Sequence, residues 1–339
     1  MLKAVVTGVS GQDGFYLTRL LLSKGYQVIG VIRRTSMPTN RRLAQFMGTP
    51  NFVLVDGDVT DQGSIEQIVG DFKPSEFYHL AAQSHVQRSW DYPVLTSQVT
   101  GLGTLHCLEA IRRVHPQCRF YFAGSSEQFG NASNGGSPLS EDSPMIPESP
   151  YAAAKLYGYN ISQVYRRSYN MFVACGILFN HESPMRGEEF VTRRITMGLA
   201  RVKHGLQRTL TLGNLSAKRD WGFAGDYVEA MWKMLQIDEP SDFVVATGET
   251  HSVQEFVDLA CEFYNLDASQ VISSDPKLFR PKDVNVLIGN PRSAKKKLGW
   301  ESKTSFRDLV NAMCQYDLFH TSPNAALRAS ADELLRAGI

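Results

Sequence analysis

Apolar runs and helical stretches alternate from the first residues of the chain. The run KAVVT (3–7) ends in a glycine-rich turn. FYLTRLLLSKG (15–25) follows, with apolar positions at helical spacing until Gly25 stops it. YQVIGVI (26–32), NFVLVDGD (51–58), EFYHLAA (76–82), CRFYFAGSS (118–126) and MFVACGILFN (171–180) read as further strands. SIEQIVGDF (64–72), LTSQVTGLGTLHCLEAIRRV (95–114) and a long stretch opening near Tyr151 read as the helices among them. Continuous apolar strands are those buried on both faces. The order therefore predicts an α/β fold built on a doubly wound parallel sheet of the Rossmann type.

The pattern changes after Phe179. NHESPMRGEEF (180–190) reads as a polar loop, VTRRITMGLARVKHG (191–205) as a basic helix, and the rest as a mixture of short strands, loops and helices. GFAGDYVEAMWKMLQ (222–236) and DFVVATG (242–248) regain the earlier character. The expected division is a cofactor domain over residues 1–179, with 222–250 returning to it. A smaller mixed α/β substrate-binding lobe takes 180–221 and 251–320, and 321–339 form a loosely attached terminal segment.

Composition narrows the function. The 339 residues are 43% apolar and 20% charged with a formal net charge of +1, the profile of a globular enzyme and not of a nucleic-acid or membrane binder. No window approaches about 18 consecutive apolar residues, so no membrane span is expected, and no signal-peptide layout precedes the first strand. Five scattered cysteines without a CxxC pair argue for reduced thiols in the cytoplasm. The histidines show no ligand spacing, so no metal is expected.

VVTGVSGQDGFYL (5–17) places Gly8, Gly11 and Gly14 between a strand and a helix, with Gln12 and Asp13 among them. Glycines allow a tight turn and close approach of a pyrophosphate, and the helix N-terminus supplies N–H donors and a positive dipole end. A dinucleotide site that takes NAD carries an acidic residue at the end of the second strand. Here Arg33 and Arg34 stand there, followed by Ser36, and guanidinium matches the extra phosphate of NADP. Asp58 and Val59 after the third strand, and Leu80, Ala81, Ala82 and Ser84 after the fourth, lie at carboxyl ends of strands, where such sheets bind ligands.

Tyr151 and Lys155 lie four residues apart behind Ser149-Pro150, a helix start, and so share one helix face. An ammonium beside a phenol favours phenolate, so Lys155 is expected to lower the Tyr151 pKa and make it a general base. Ser125, Ser126 and Glu127 end the fifth strand at the same edge: a hydroxyl to orient a substrate oxygen, a second hydroxyl, and a carboxylate. Arg186, Arg193, Arg219 and Arg280 could meet a pyrophosphate, whereas Arg194, Arg201 and Lys203 read as a solvated helix face. Trp90, Trp221, Trp232 and Trp300 read as core.

Together these motifs resemble the extended short-chain dehydrogenases/reductases, and within them the GDP-mannose 4,6-dehydratases. The resemblance runs through TGVSGQDGFYL, LAAQSHVQRSW, SSEQFG, SPYAAAKLYG, LFNHESPMRGEEFVTR, GNLSAKRDWGFAGDYVEAMW and FRPKDVNVLIGNP, nearly all of residues 1–319. It implies a lyase that oxidises C4 of a GDP-linked sugar through Tyr151, with Lys155 on the nicotinamide ribose and Ser125 on the 4-oxygen. Glu127 would remove the C5 proton, and Ser126 would help water leave C6. It implies a GDP-sugar site lined by Ser84, Asn180, Arg186, Val191, Arg193, Arg219 and Arg280, and a homo-oligomer, dimer or tetramer. Ser125 stands where the family usually has Thr, and Ala152 where it commonly has Gly. The hexose thus stays open between mannose and a bulkier manno-heptose. An epimerase or decarboxylase of the same fold is the further alternative, and Glu127 counts against a simple epimerase.

Overall fold

In the computed structural model, residues 1–35, 40–132, 136–278, 284 and 286–337 are described. Seven parallel strands form the central sheet. From one edge to the other they run Asp242–Val245, Val173–Leu178, Arg119–Ala123, Glu76–His79, Lys3–Thr7, Gln27–Ile32 and Phe52–Asp56. The sequence-predicted parallel sheet is therefore present, and the stretch 242–248 supplies its edge strand. Strand order reverses beside Lys3–Thr7, which pairs with both Gln27–Ile32 and Glu76–His79. A crevice opens at the carboxyl ends of strands at such a reversal.

Side chains alternate across the sheet. Ala4, Val6, Tyr78, Tyr121 and Ala174 face one hydrophobic core, while Val5, Phe77, Phe120, Phe122 and Cys175 face the other. Each face is covered by helices, Gln12–Ser23 with Ala224–Met234 on the first and Gln62–Phe72 with Gly103–Val114 and Pro150–Tyr169 on the second. The stretch 95–114 is not one regular helix. It runs as Pro93–Thr96, a wider π-type turn over Ser97–Leu102, and Gly103–Val114.

A third core gathers Ile195, Leu199, Trp221, Phe256, Val257, Leu309 and Met313 in the lobe beyond the crevice. Its helices are Val191–Lys203, Val253–Tyr264 and Phe306–His320. The last of these also sends Tyr316 into the sheet's first core, so one helix belongs to both bodies.

The terminal segment is a correction to the expectation of loose attachment. Ala325–Ala337 is a helix, Ala331 and Leu335 are buried in the sheet's core, and Arg19 donates to the Leu335 carbonyl at 3.0 Å. Its apolar residues at helical spacing bury against the Gln12–Ser23 side of the molecule. Trp221 and Trp300 are core residues as expected, but Trp90 is 43% exposed. No helix among the described residues is long and apolar enough to cross a membrane.

Candidate active site

A cavity of about 530 Å³ lies between the carboxyl edge of the sheet and the lobe. Its floor is the glycine loop. Gly8 has φ +70°, and a Cβ there would come within 2.8 Å of the Ala81 nitrogen; a Cβ on Gly14 would come within 2.4 Å of the Val9 carbonyl. Only glycine gives this turn and this strand-to-helix approach. Gly11 caps the Gln12–Ser23 helix without a side-chain partner, so the N–H groups of its first turn face the cavity. These features form a cradle that fits a dinucleotide pyrophosphate.

One wall carries the reactive set. Ser125 follows the Arg119–Ala123 strand and is fixed from both sides: its Oγ accepts from the Glu127 amide at 3.3 Å, and its own amide donates to Gln128 Oε1 at 2.7 Å. Ser126 is buried and Glu127 half-buried, and both line the cavity. On the Pro150–Tyr169 helix, Pro150 occupies the first turn and Ser149 Oγ accepts from the Ala152 amide at 3.1 Å. This cap sets the helix start, and the helix then turns Tyr151 and Lys155 into the same cavity.

Electrostatics here departs from the expectation. Burial pushes the Tyr151 phenol up to about 12; the Ser125 hydroxyl and Arg186 oppose the rise, and the Glu127 and Asp13 charges add to it. Lys155 does not offset this. Its Nζ donates to the Ala123 carbonyl at 2.6 Å and sits 5.9 Å from the centre of the Tyr151 ring. Burial pushes Lys155 itself down to about 8, against the pull of Asp13. Desolvation dominates both groups in the protein alone.

Of the other sequence-predicted residues, Gln12, Asp13, Leu80, Ala82, Ser84, Asn180, Arg186, Val191 and Arg219 line the cavity. Arg219 donates to the Val284 carbonyl at 2.6 Å, and Arg186 lies 3.1 Å from Glu182 with its guanidinium over the Phe190 ring. The Oδ1 of Asn180 is buried and has no hydrogen-bond partner among the described residues. Ala81, Asp58, Val59, Arg33 and Arg34 are outside the wall. Ala81 backs Gly8, Asp58 accepts from Thr60, Val59 is buried in the core, and Arg33 and Arg34 are exposed beyond the second strand. Ser36 and Arg280 lie outside the described residues.

Two arginines exchange places relative to expectation. Arg193 is buried, bound to both oxygens of Asp317 and to the carbonyls of Pro184 and Arg186, and faces away from the cavity. Its neighbour Arg194 lines the cavity. Adjacent helix positions point about 100° apart, so only one of the pair can face inward.

Sequence reasoning missed His181, Glu189 and Phe190, which also line the cavity. His181 joins the lobe to the glycine loop, with Nε2 2.9 Å from Asp13. Its signal was the polar NHE triplet straight after a buried strand.

A family model described as GDP-mannose 4,6 dehydratase matches residues 5–313. Among curated relatives, GDP-mannose 4,6 dehydratase 2 of Caenorhabditis elegans is 46% identical, covering 93% of this chain and 88% of its own length. GDP-mannose 4,6 dehydratase of Homo sapiens is 43% identical, covering 95% and 93%. Among solved structures, a UDP-glucuronic acid 4-epimerase from Bacillus cereus in complex with UDP-glucuronic acid and NAD superposes with TM-score 0.83 at 20% identity, covering 93% of this chain and 99% of its own. RMD from Pseudomonas aeruginosa complexed with NADPH superposes with TM-score 0.76 at 23% identity, covering 94% and 99%. At such identities the superpositions establish the fold.

Proposed function

The chain belongs to the GDP-mannose 4,6-dehydratase family, and from that premise we propose that it converts GDP-mannose to GDP-4-keto-6-deoxymannose with NADP as cofactor. The observation that carries this reading is the meeting of Ser125, Glu127, Tyr151 and Lys155 with the glycine loop in one cavity. When bound, the oxidised nicotinamide would supply a hydride acceptor and a positive charge, and in its reduced form the hydride that ends on C6.

Tyr151 accepts the proton of the 4-hydroxyl, and Ser125 holds that oxygen and the charge it develops. Lys155, largely protonated at neutral pH, would hydrogen-bond the nicotinamide ribose and favour the phenolate once the cofactor's charge is present. The 4-ketone acidifies C5. Glu127 takes the C5 proton and passes it to the 6-hydroxyl, which Ser126 holds by a hydrogen bond, so that it leaves as water; a proton equal to the one Tyr151 took then adds to C5 as hydride returns to C6. Asn180, Arg186, Val191, Arg194 and Arg219 hold the GDP-sugar, with guanidinium on pyrophosphate.

Incubation with GDP-mannose, followed by mass spectrometry, should show loss of one water with no net reduction of cofactor. A parallel GDP-manno-heptose arm tests the bulkier sugar. An epimerised product of unchanged mass would overturn the dehydratase reading. For the cofactor, Arg33 and Arg34 supply the preference for the 2′-phosphate, so replacing both with Ala should weaken NADP and leave NAD much less affected. Equal weakening of both would rule out that role.

The same reading takes the protein as a homo-oligomer. Tyr92, Val94, Leu95 and Leu102 are exposed beside Tyr157 and Val164 of the Tyr151 helix, an apolar face fit for a second copy. Light scattering that returned a single 37.8 kDa species would exclude it. Five buried free thiols fit a reducing compartment such as the cytoplasm.

A further inference from the structure

The His181 ring has an acceptor at each nitrogen. Nδ1 lies 2.7 Å from the Phe179 carbonyl, and Nε2 lies 2.9 Å from a carboxylate oxygen of Asp13. A carbonyl and a carboxylate both require a donor. A neutral imidazole has one N–H, so either tautomer would aim a lone pair at an oxygen. With Asp13 held ionised, only the imidazolium satisfies both contacts.

We propose that His181 is held as an imidazolium and acts as a positioning charge for the glycine loop, cancelling Asp13 so that the cofactor's pyrophosphate meets N–H donors and not an uncompensated carboxylate. The inference rests on the dinucleotide reading of that loop. Both residues line the cavity. The pair is held from several sides. Gln12 donates to the His181 carbonyl at 3.0 Å and to Asp13 at 3.1 Å, and Ser183 donates to Gln12 at 2.8 Å. The ring stacks on Tyr227, 4.7 Å between centroids. These bonds tie the first turn of the cofactor helix to the strand Asn180–Glu182, where the lobe begins.

The charged and titratable surroundings favour this state. Facing His181 are Asp13 from the cofactor helix, Arg186 from the following loop and Tyr227 from the Ala224–Met234 helix. Facing Asp13 are also Tyr121, Tyr151 and Lys155. Burial opposes the imidazolium, as does Arg186, but Asp13 and the Phe179 carbonyl outweigh them and leave His181 above its ordinary value. Asp13 is correspondingly held below the usual carboxylate range. As pH rises through the raised histidine value the proton is lost, Nε2 turns a lone pair on Asp13, and the carboxylate's charge reaches the loop.

The test is the binding of ADP-ribose 2′-phosphate, which keeps the pyrophosphate and lacks the nicotinamide, measured by calorimetry from about pH 6 to about pH 9. Affinity should fall toward the alkaline end in the parent protein. His181→Gln should bind about tenfold more weakly at neutral pH and show a flatter profile. Lys155 titrates in both proteins, so the difference between the two profiles belongs to the histidine. Asp13→Asn combined with His181→Gln should recover affinity to within about threefold of the parent, because the uncompensated charge is gone. Nitrogen NMR of the parent protein gives an independent readout: both ring nitrogens of His181 should be protonated at neutral pH. A neutral ring, or parallel profiles in parent and His181→Gln, would overturn the proposal. Failure of the parent to bind ADP-ribose 2′-phosphate at all would strike the dinucleotide reading instead.

Discussion

The two sides of the cavity are built differently. On the sheet side, the groups proposed for the chemistry, Lys155 apart, sit within a residue or two of an element boundary that local rules define. Ser125 follows a strand, and Tyr151 stands in the first turn of a helix begun by Ser149-Pro150. On the lobe side, the arginines sit within a folded unit that needs some of them for itself. Arg193 is bonded to buried Asp317, while Arg194, one position on, reaches the cavity. Chemistry placed at element ends can be traced from sequence; chemistry placed along a helix face depends on which side the third core takes.

The sharpest break of that comparison is on the sheet side. Glu127→Gln changes charge with little change of shape, so dehydration should fall by about 10²–10⁴ while C4 oxidation persists. Reduced cofactor should then accumulate after substrate is added, seen as near-ultraviolet absorbance. Tyr151→Phe blocks the earlier step and should give no such signal. Dehydration near the parent rate in Glu127→Gln would make Glu127 a structural residue.

On the lobe side, Arg193→Ala should act on stability first. It strands the Asp317 carboxylate, whose pKa burial already holds above the usual range, and breaking such a pair costs about 3–5 kcal/mol. Denaturant melts should show the loss in protein without substrate. If stability were unchanged and only substrate affinity fell, Arg193 would belong to the site after all.

Lys155 offers a third contrast, because the role proposed for it and its effect on stability oppose each other. Its folded value of about 8 lies below its ordinary 10.5. Between those values the unfolded chain binds more protons, so stability rises with pH there, and the full penalty applies below about 8. Lys155→Met removes that penalty and should stabilise the cofactor-free protein by up to about 3 kcal/mol at neutral pH. The gain should shrink toward pH 10.5. A gain independent of pH would assign it to packing alone.

Much of this was legible in the sequence, and the reasons are local. Gly8, Gly11 and Gly14 after an apolar strand read as a phosphate loop, and at Gly8 and Gly14 an added Cβ would strike backbone. The i,i+4 spacing of Tyr151 and Lys155 puts them on one face whatever the rest of the fold does. Other properties depended on partners distant in the chain. The fate of Arg193 was set by Asp317, that of His181 by Asp13, and the burial of Leu335 by the cofactor domain. In the protein alone the Tyr151 pKa departs from the spacing argument for a related reason: spacing gives the neighbour, but the desolvation of the pair and the Ala123 carbonyl that takes Lys155 appear only in three dimensions.

The smallest expected effect gives the cleanest comparison, since it concerns the residue next to Arg193. Arg194 is exposed on the cavity side, and its Nη2 donates to the Thr211 carbonyl at 3.0 Å. Among the described residues no buried carboxylate is bonded to it, so Arg194→Ala should leave the melting transition unchanged. A guanidinium on a half-open wall can still meet a pyrophosphate, in water that weakens the bond. The KM for GDP-mannose should therefore rise about threefold to tenfold with kcat unaltered, the mark of binding shared by ground and transition states. Because exposed charges are screened, the ratio of mutant to parent KM should shrink as salt is added. A loss of stability as large as that of Arg193→Ala, or a fall in kcat at constant KM, would show that the two neighbours are not divided between fold and ligand in this way.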